Sequence, residues 1–289
     1  MYMKVKLILE NNYFNSIFNK TNQKNMKNKA LLVGINKYPD PQNELRGCIN
    51  DILDMEHFIT ETNKVYSKQN IKKLTDRDAT KKGIVTQLRW LLEGAQAGDQ
   101  LLFHYSGHGA QVPTINAKLE PDGLDEIICP YDFDGSNNTT LRDKEFAQLF
   151  AGIPKGVHFV WISDSCHAED LSRDLKMDKA IIYRQFQGVT HHKHDELPET
   201  SSENFNAVTA PLNGALLSAC ASHELSADAY INNRFNGVFT HYLIKNLLQY
   251  SDSKSMQAIV QLVNIDLDKN GYDQNPESEG KLQNDFFFL

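Results

Sequence analysis

Two short apolar runs, each breaking off into a turn of small residues, constrain this chain more than any other feature. Leu101-Leu102-Phe103-His104-Tyr105-Ser106-Gly107-His108-Gly109 and Val160-Trp161-Ile162-Ser163-Asp164-Ser165-Cys166-His167 share one design, a run of β-favouring residues that ends in Gly, Ser or Asp. That pattern reads as a fully buried strand running out into a functional loop. In an open α/β sheet, ligand sites lie beyond the carboxyl ends of such strands. Two neighbouring strands of this kind would bring His108 beside Cys166, and a nucleophile with a base is what cysteine hydrolysis requires. A free thiol titrates near ~8.5 and an imidazole near ~6.5. The imidazole can therefore lower the thiol's pKa, accept its proton and return it to a leaving amine. Gly107 and Gly109 flank His108 closely. Glycine lets backbone N–H groups approach a reacting carbonyl, so the amides of Gly109 and Cys166 are the candidate oxyanion hole. Along a strand, residues i and i+2 share a face, which pairs Asp164 with Cys166 and Ser106 with His108. A carboxylate beside a thiol opposes thiolate formation. Asp164 makes chemical sense if it faces a cationic group on the substrate.

The rest of the chain reads as alternating strands and helices. Residues 1–28 stand apart, rich in Asn and Lys with the single acid Glu10, and are expected to be an appendage that covers the domain or acts as a pro-segment. Strands are expected over 30–36, 71–74, 101–109, 126–131, 156–163 and 214–220. Helices are expected over 50–62, from a Thr80 cap through Leu92, and over 144–151, 237–250 and 255–268. This order implies an α/β domain over 29–289, with a mostly parallel central sheet flanked by helices on both faces. The stretch 168–212 is dense in charge and lacks periodicity. A loop of that length inside a compact domain is functional or disordered.

Composition limits the function classes. With 289 residues, 40% hydrophobic and 23% charged, the chain has ample material for a core. A net charge of −7 argues against a nucleic-acid binder and fits a protein that attracts cationic ligands. No apolar run approaches the ~18 residues of a membrane span, and the N-terminal apolar core is too short for a signal peptide, so a cytoplasmic protein is expected. Four cysteines without a CxxC pair indicate neither a zinc site nor a disulfide framework. Cys129 and Cys220 read as small buried hydrophobes.

Four motifs then resemble, in order and approximate spacing, those of the metacaspases, the caspase-like cysteine peptidases. They are Leu45-Arg46-Gly47-Cys48-Ile49-Asn50-Asp51, His104 to Gly109, Asp122-Gly123-Leu124-Asp125-Glu126, and Asp164-Ser165-Cys166-His167; Ser226-Ala227-Asp228 resembles a further segment. The resemblance implies a caspase-hemoglobinase fold divided into a larger part over 29–167, an activation loop over 168–212 and a smaller part over 213–289. It implies His108 and Cys166 as the catalytic dyad. It also implies an acidic S1 pocket of Asp51, Asp164 and Asp228, with Cys48 and Ser106 nearby, that accepts Arg or Lys. Converging carboxylates would reject an Asp side chain and stabilise a guanidinium. Arg46, the nearest cation within a motif, is read as structural.

Two departures from the family pattern stand out. Ala168-Glu169 replaces the usual Ser-Gly after the cysteine motif, and an expected Asp-Asp pair reads Asp143-Lys144. The chemistry itself requires no cofactor, and the resemblance implies Ca2+ as an activator. Asp122, Asp125, Glu126, Asp143, Asp170 and Asp174 are the candidate ligands, but a lysine among them competes with a hard cation. The resemblance also makes 168–212 the site of self-cleavage, with Arg173, Lys176, Lys179, Arg184 and Lys193 as candidate cut positions. His191, His192 and His194 resemble a metal tract without a scaffold. Protein or peptide substrates and an activating partner protein are expected, with a monomeric enzyme. The alternative is a caspase-fold interaction module of little activity in a signalling or defence complex.

Overall fold

The computed structural model describes residues 27–114, 123–166, 181–187, 212–221 and 224–289. Asp122, Asp170, Asp174, the three clustered histidines, Ala168-Glu169, and the candidate cut positions Arg173, Lys176, Lys179 and Lys193 lie outside these residues, as does nearly all of the N-terminal appendage.

The central sheet has six strands in the order β12-β9-β7-β3-β1-β2. They are β1 (Lys29–Gly34), β2 (Ile71–Thr75), β3 (Gln100–Ser106), β7 (His158–Asp164), β9 (Ala215–Ser218) and β12 (Glu277–Glu279). All pair in parallel except β12, which closes the β9 edge antiparallel. Every residue of β3 is buried, as the unbroken apolar run requires of a strand covered on both faces.

Among the described residues five helices cover the sheet: α1 (Cys48–His57), α2 (Lys81–Leu92), α3 (Asp143–Phe150), α4 (Val238–Tyr250) and α5 (Met256–Lys269). Strand alternation divides the core in two. Ala30, Leu32 and Leu102 face α1, α4 and α5, whereas Leu31, Val33, Leu101 and Phe103 face α2 and α3. The Thr80 cap is present, its hydroxyl accepting from the Gly83 amide at 3.1 Å. The expected helix over 50–62 begins two residues earlier and ends in one wider turn, Phe58–Thr62, with i to i+5 bonding.

Two small antiparallel sheets stand beside the central one. The first orders β4 (Gly109–Pro113), β5 (Leu124–Ile128) and β6 (Leu141–Arg142). The second orders β11 (Arg234–Gly237), β10 (Ala227–Ile231) and β8 (Ile181–Tyr183). The sequence reading has none of these except part of β5. In particular, the stretch read as aperiodic loop contributes β8, a strand too short to show a period.

Candidate active site

The β3–β7 register sets the site. Gly34, Ser106 and Asp164 are successive neighbours across β1, β3 and β7, so the chain leaves all three strands at one rim. Two residues further on stand His108 and Cys166, both buried. Side-chain alternation along these strands places Ser106 and Asp164 in one pocket with Asp51 from the first turn of α1 and Asp228 from β10.

That pocket holds Arg184. Its Nη2 lies 2.7 Å from Asp51 Oδ2 and 3.5 Å from Asp228 Oδ1, and its Nη1 lies 3.0 Å from Asp164 Oδ1. Nη1 also donates to Ser106 Oγ at 2.8 Å and to the Asp164 carbonyl at 3.0 Å. Arg184 is the largest side chain in the described residues with essentially no exposure. Arg46, the cation that the sequence reading placed nearest, stays outside: its guanidinium lies 5.0 Å over the Phe235 ring, while its amide donates to Asp228 Oδ2 at 2.7 Å.

The carboxylates are held by the protein as well as by the guanidinium. Asp51 accepts from Ser106 Oγ at 2.7 Å and from the Gly237 amide at 2.9 Å. Asp164 accepts from Ser226 Oγ at 2.8 Å and from Thr240 Oγ1 at 2.6 Å and its amide at 3.1 Å. Gly237 was missed by sequence reasoning, yet a Cβ there would collide with Asp164, Asp51 and Arg184 at once. Cys48 is fully buried beside Ser106, and burial pushes its thiol well up despite the pull of Arg184. Three buried acids facing one fixed cation are overcharged. Desolvation pushes Asp51 up to about 7 against the pull of Arg184, and raises Asp228 too.

Arg184 enters the pocket as the middle of a segment laid across the dyad. Its N–H donates to the Ser226 carbonyl at 2.9 Å, and its own carbonyl accepts from the Gly109 amide at 3.1 Å. Cys166 Sγ lies against the same Ser226, 2.7 Å from its nitrogen and 3.3 Å from its oxygen. The imidazole of His108 donates from Nε2 to the Asn43 carbonyl at 2.9 Å. Nδ1 is buried and has no hydrogen-bond partner among the described residues. Burial lowers His108 to about 4, so the ring is neutral at neutral pH. Of the two amides expected to form an oxyanion hole, that of Gly109 donates to the Arg184 carbonyl, and a Cβ on Gly109 would strike the Cys166 carbonyl. Asn43, in a Pro-containing loop with no motif to mark it, carries the carbonyl that orients the His108 ring.

Cys129 packs in the core as expected. Cys220 is buried but not surrounded by carbon: its sulfur lies 3.6 Å from the Ser165 carbonyl and 3.4 Å from that of Glu224.

Among the described residues, those implied for calcium do not fit the ion in this arrangement. Asp125 is fully buried and paired with Arg142 at 2.6 Å and with the ammonium of Lys144, the lysine that stands in the expected acid pair. Glu126 lies next along β5 and so points to the other face. Among the described residues no three His, Cys, Asp or Glu side chains converge on a metal position.

The sequence model described as Caspase domain matches residues 27–287. Metacaspase-1 of Meyerozyma guilliermondii is 29% identical over 87% of this chain and 68% of its own length. Metacaspase-9 of Arabidopsis thaliana is 29% identical over 86% of this chain and 92% of its own. Metacaspase-1 of Pyricularia oryzae is 40% identical over 148 residues, 49% of this chain, but only 36% of that protein is covered. The chain thus spans only part of these fungal relatives. A solved Geobacter sulfurreducens protein shares the fold at a TM-score of 0.61 and 23% identity, over 88% of this chain and 94% of that one. With the matching domain spanning nearly every described residue and metacaspases among its relatives, this chain belongs to the caspase-like, metacaspase-type family of cysteine peptidases.

Proposed function

We propose that the protein is a cysteine endopeptidase that cuts after Arg or Lys, held in a self-blocked form by its own residues 181–187. One observation carries this reading: Arg184 has the posture of a substrate residue at the cut position. Its side chain is matched by three carboxylates, its N–H by the Ser226 carbonyl and its carbonyl by the Gly109 amide.

The chemistry follows from that posture. His108 takes the Cys166 proton, and the thiolate adds to the carbonyl carbon of the Arg residue. The oxyanion is stabilised by the Gly109 N–H. The C–N bond then breaks as the imidazolium returns its proton to the leaving amine, freeing the downstream peptide. Water, deprotonated by His108, adds to the thioester, and expulsion of the thiolate releases a new carboxyl end. In the chain's own segment the bond so aligned is Arg184–Gln185, which makes it the self-processing site on this reading. On the same reading the substrates are proteins or peptides, the chemistry needs no cofactor, and displacement of the plug is the step on which an activating partner protein would act. The three-residue β12 blunts the outer edge of the sheet, which favours a monomer. Among the described residues no helix is long and apolar enough to cross a membrane.

Wild-type protein and Cys166→Ala should be compared on fluorogenic peptides ending in Arg, Lys or Asp. Turnover of Arg and Lys peptides only, lost in Cys166→Ala, is expected. Turnover of the Asp peptide alone, or activity surviving the substitution, overturns the reading. A cleft that stays plugged and turns over nothing identifies the chain as an inactive interaction module instead.

The pocket adds a pH signature. A proton on Asp51 weakens its grip on a guanidinium, and this carboxyl sits at about 7 even with the cation present. Raising the pH through that value deprotonates it. The KM for an Arg peptide is therefore expected to fall between pH 6 and pH 8, which initial rates over a substrate series at each pH would measure.

A further inference from the structure

The segment that fills the acidic pocket continues beyond the bond to be cut, and its far side meets a second built pocket. Main-chain contacts fix its register. Tyr183, Ile182 and Ile181 pair with Ala227, Asp228 and Ala229 on β10. Past Arg184, the Phe186 amide donates to the Gly109 carbonyl at 3.2 Å. The Asn43 side chain then brackets Gln187, accepting from its amide at 2.6 Å and donating to its carbonyl at 3.2 Å. None of these bonds reads a side chain, so any peptide bound in this register puts its own second residue after the cut where Phe186 lies.

At that place stand three rings. The Phe186 centroid is 4.9 Å from Phe133, 5.5 Å from Tyr38 and 5.6 Å from His108, with interplanar angles of 87°, 80° and 82°. Edge-to-face contact is the arrangement that aromatic quadrupoles favour. The cage is tied to the catalytic turn: the Tyr38 hydroxyl accepts from the His108 amide at 3.0 Å and donates to the Cys129 carbonyl at 3.2 Å. Phe133 and Tyr38 are only 4% and 6% exposed with the segment in place. A small residue there would forfeit all three ring contacts. An acidic one would put a carboxylate against ring faces that carry negative charge, in a site with little water.

We propose that Tyr38, Phe133 and the His108 ring form a primed-side specificity subsite, S2′, that selects a large aromatic residue two positions beyond the scissile bond. The proposal rests on the Arg/Lys endopeptidase reading and narrows its substrate class to chains carrying Arg or Lys, then any residue, then Phe, Tyr or Trp. Because His108 is one wall, an aromatic side chain in S2′ also shields the catalytic imidazole from solvent.

The test uses the full-length protein and internally quenched peptides Ile-Ile-Tyr-Arg-Gln-Phe-Gln, its variant with Ala for Phe, and its variant with Asp for Phe. The Phe peptide is expected to exceed both others in kcat/KM by at least about tenfold, equivalent to 1.4 kcal/mol. Phe133→Ala is expected to shrink the Phe-to-Ala ratio to under about threefold, roughly 0.6 kcal/mol. The ratio is taken within one enzyme, so a lower overall activity of the variant does not affect it. The wild-type comparison stands even if the variant fails to fold. Equal cleavage of all three peptides after Arg overturns the subsite and leaves the Arg/Lys reading intact, as does a ratio that Phe133→Ala leaves unchanged. Cleavage of none of them removes the Arg/Lys reading and the subsite with it.

Discussion

Arg184→Ala is expected to leave the chain whole under conditions in which the wild-type protein splits into fragments of residues 1–184 and 185–289. Intact mass spectrometry over a time course reads this directly. Arg184 supplies the cation that three buried carboxylates share, and its carbonyl accepts from the Gly109 amide, the donor proposed to hold the oxyanion. Without the guanidinium this bond keeps only its main-chain contacts, chiefly the Arg184 N–H to the Ser226 carbonyl and the Gly109 N–H to the Arg184 carbonyl. Removing one partner of a buried ion pair costs about 3–5 kcal/mol, because the remaining charges are left uncompensated and desolvated. Here that cost falls on the plugged state alone, since the acids can regain water once residues 181–187 leave the cleft. The variant should therefore melt at a lower temperature, yet hydrolyse a small Arg substrate without the lag that self-processing imposes. Arg184→Lys should still be cut, more slowly, as a point charge cannot reproduce the fork of bonds to Asp51, Asp164 and Ser106. Unchanged fragmentation in Arg184→Ala would show that another bond is the processing site.

Asp164→Asn is expected to cost about three orders of magnitude in kcat/KM on an Arg peptide, roughly 4 kcal/mol of transition-state stabilisation. Asp164 is central to the pocket: its side chain takes three protein hydrogen bonds and one guanidinium nitrogen, with no exposed surface. An amide of the same shape loses the charge and turns an NH2 group toward donors that need an acceptor. The measurement that isolates the charge is the preference for an Arg peptide over its citrulline counterpart, which are nearly isosteric. That preference should be large in the wild type and small in Asp164→Asn. Retention of the full preference would remove Asp164 from substrate recognition.

Much of this site was readable along the chain. His108 and Cys166 stand out because a buried strand and its terminal turn are local patterns, and two such patterns imply neighbouring strands with one shared rim. Ser106 and Asp164 follow from the two-residue alternation of the same strands. Asp51 and Asp228 were reached through a family resemblance rather than through spacing, since 51 and 228 lie on a helix and on a small sheet that only folding brings together. The stretch 168–212 was read as an aperiodic loop, functional or disordered, and its described residues 181–187 nonetheless include a strand; Arg184 was named there only as a candidate cut position, and Arg46 as the nearest cation within a motif. β8 has three residues, too few for any period. Its conformation comes from the open edge of β10 and from the charge waiting beyond it.

The succession of strands and helices along the chain, and the two strand-end turns that carry His108 and Cys166, were determined by the sequence itself, because hydrophobic burial and turn chemistry act between residues close along the chain. The tertiary structure alone decided which of several basic residues fills the acidic pocket, which carbonyl orients the imidazole, and which rings await the residues past the cut. Those choices depend on distances between groups as far apart as Asn43 and Gln187 or Arg184 and Asp51. Electrostatic matching and ring packing fall off within a few ångströms, so they exist only once the chain has closed on itself.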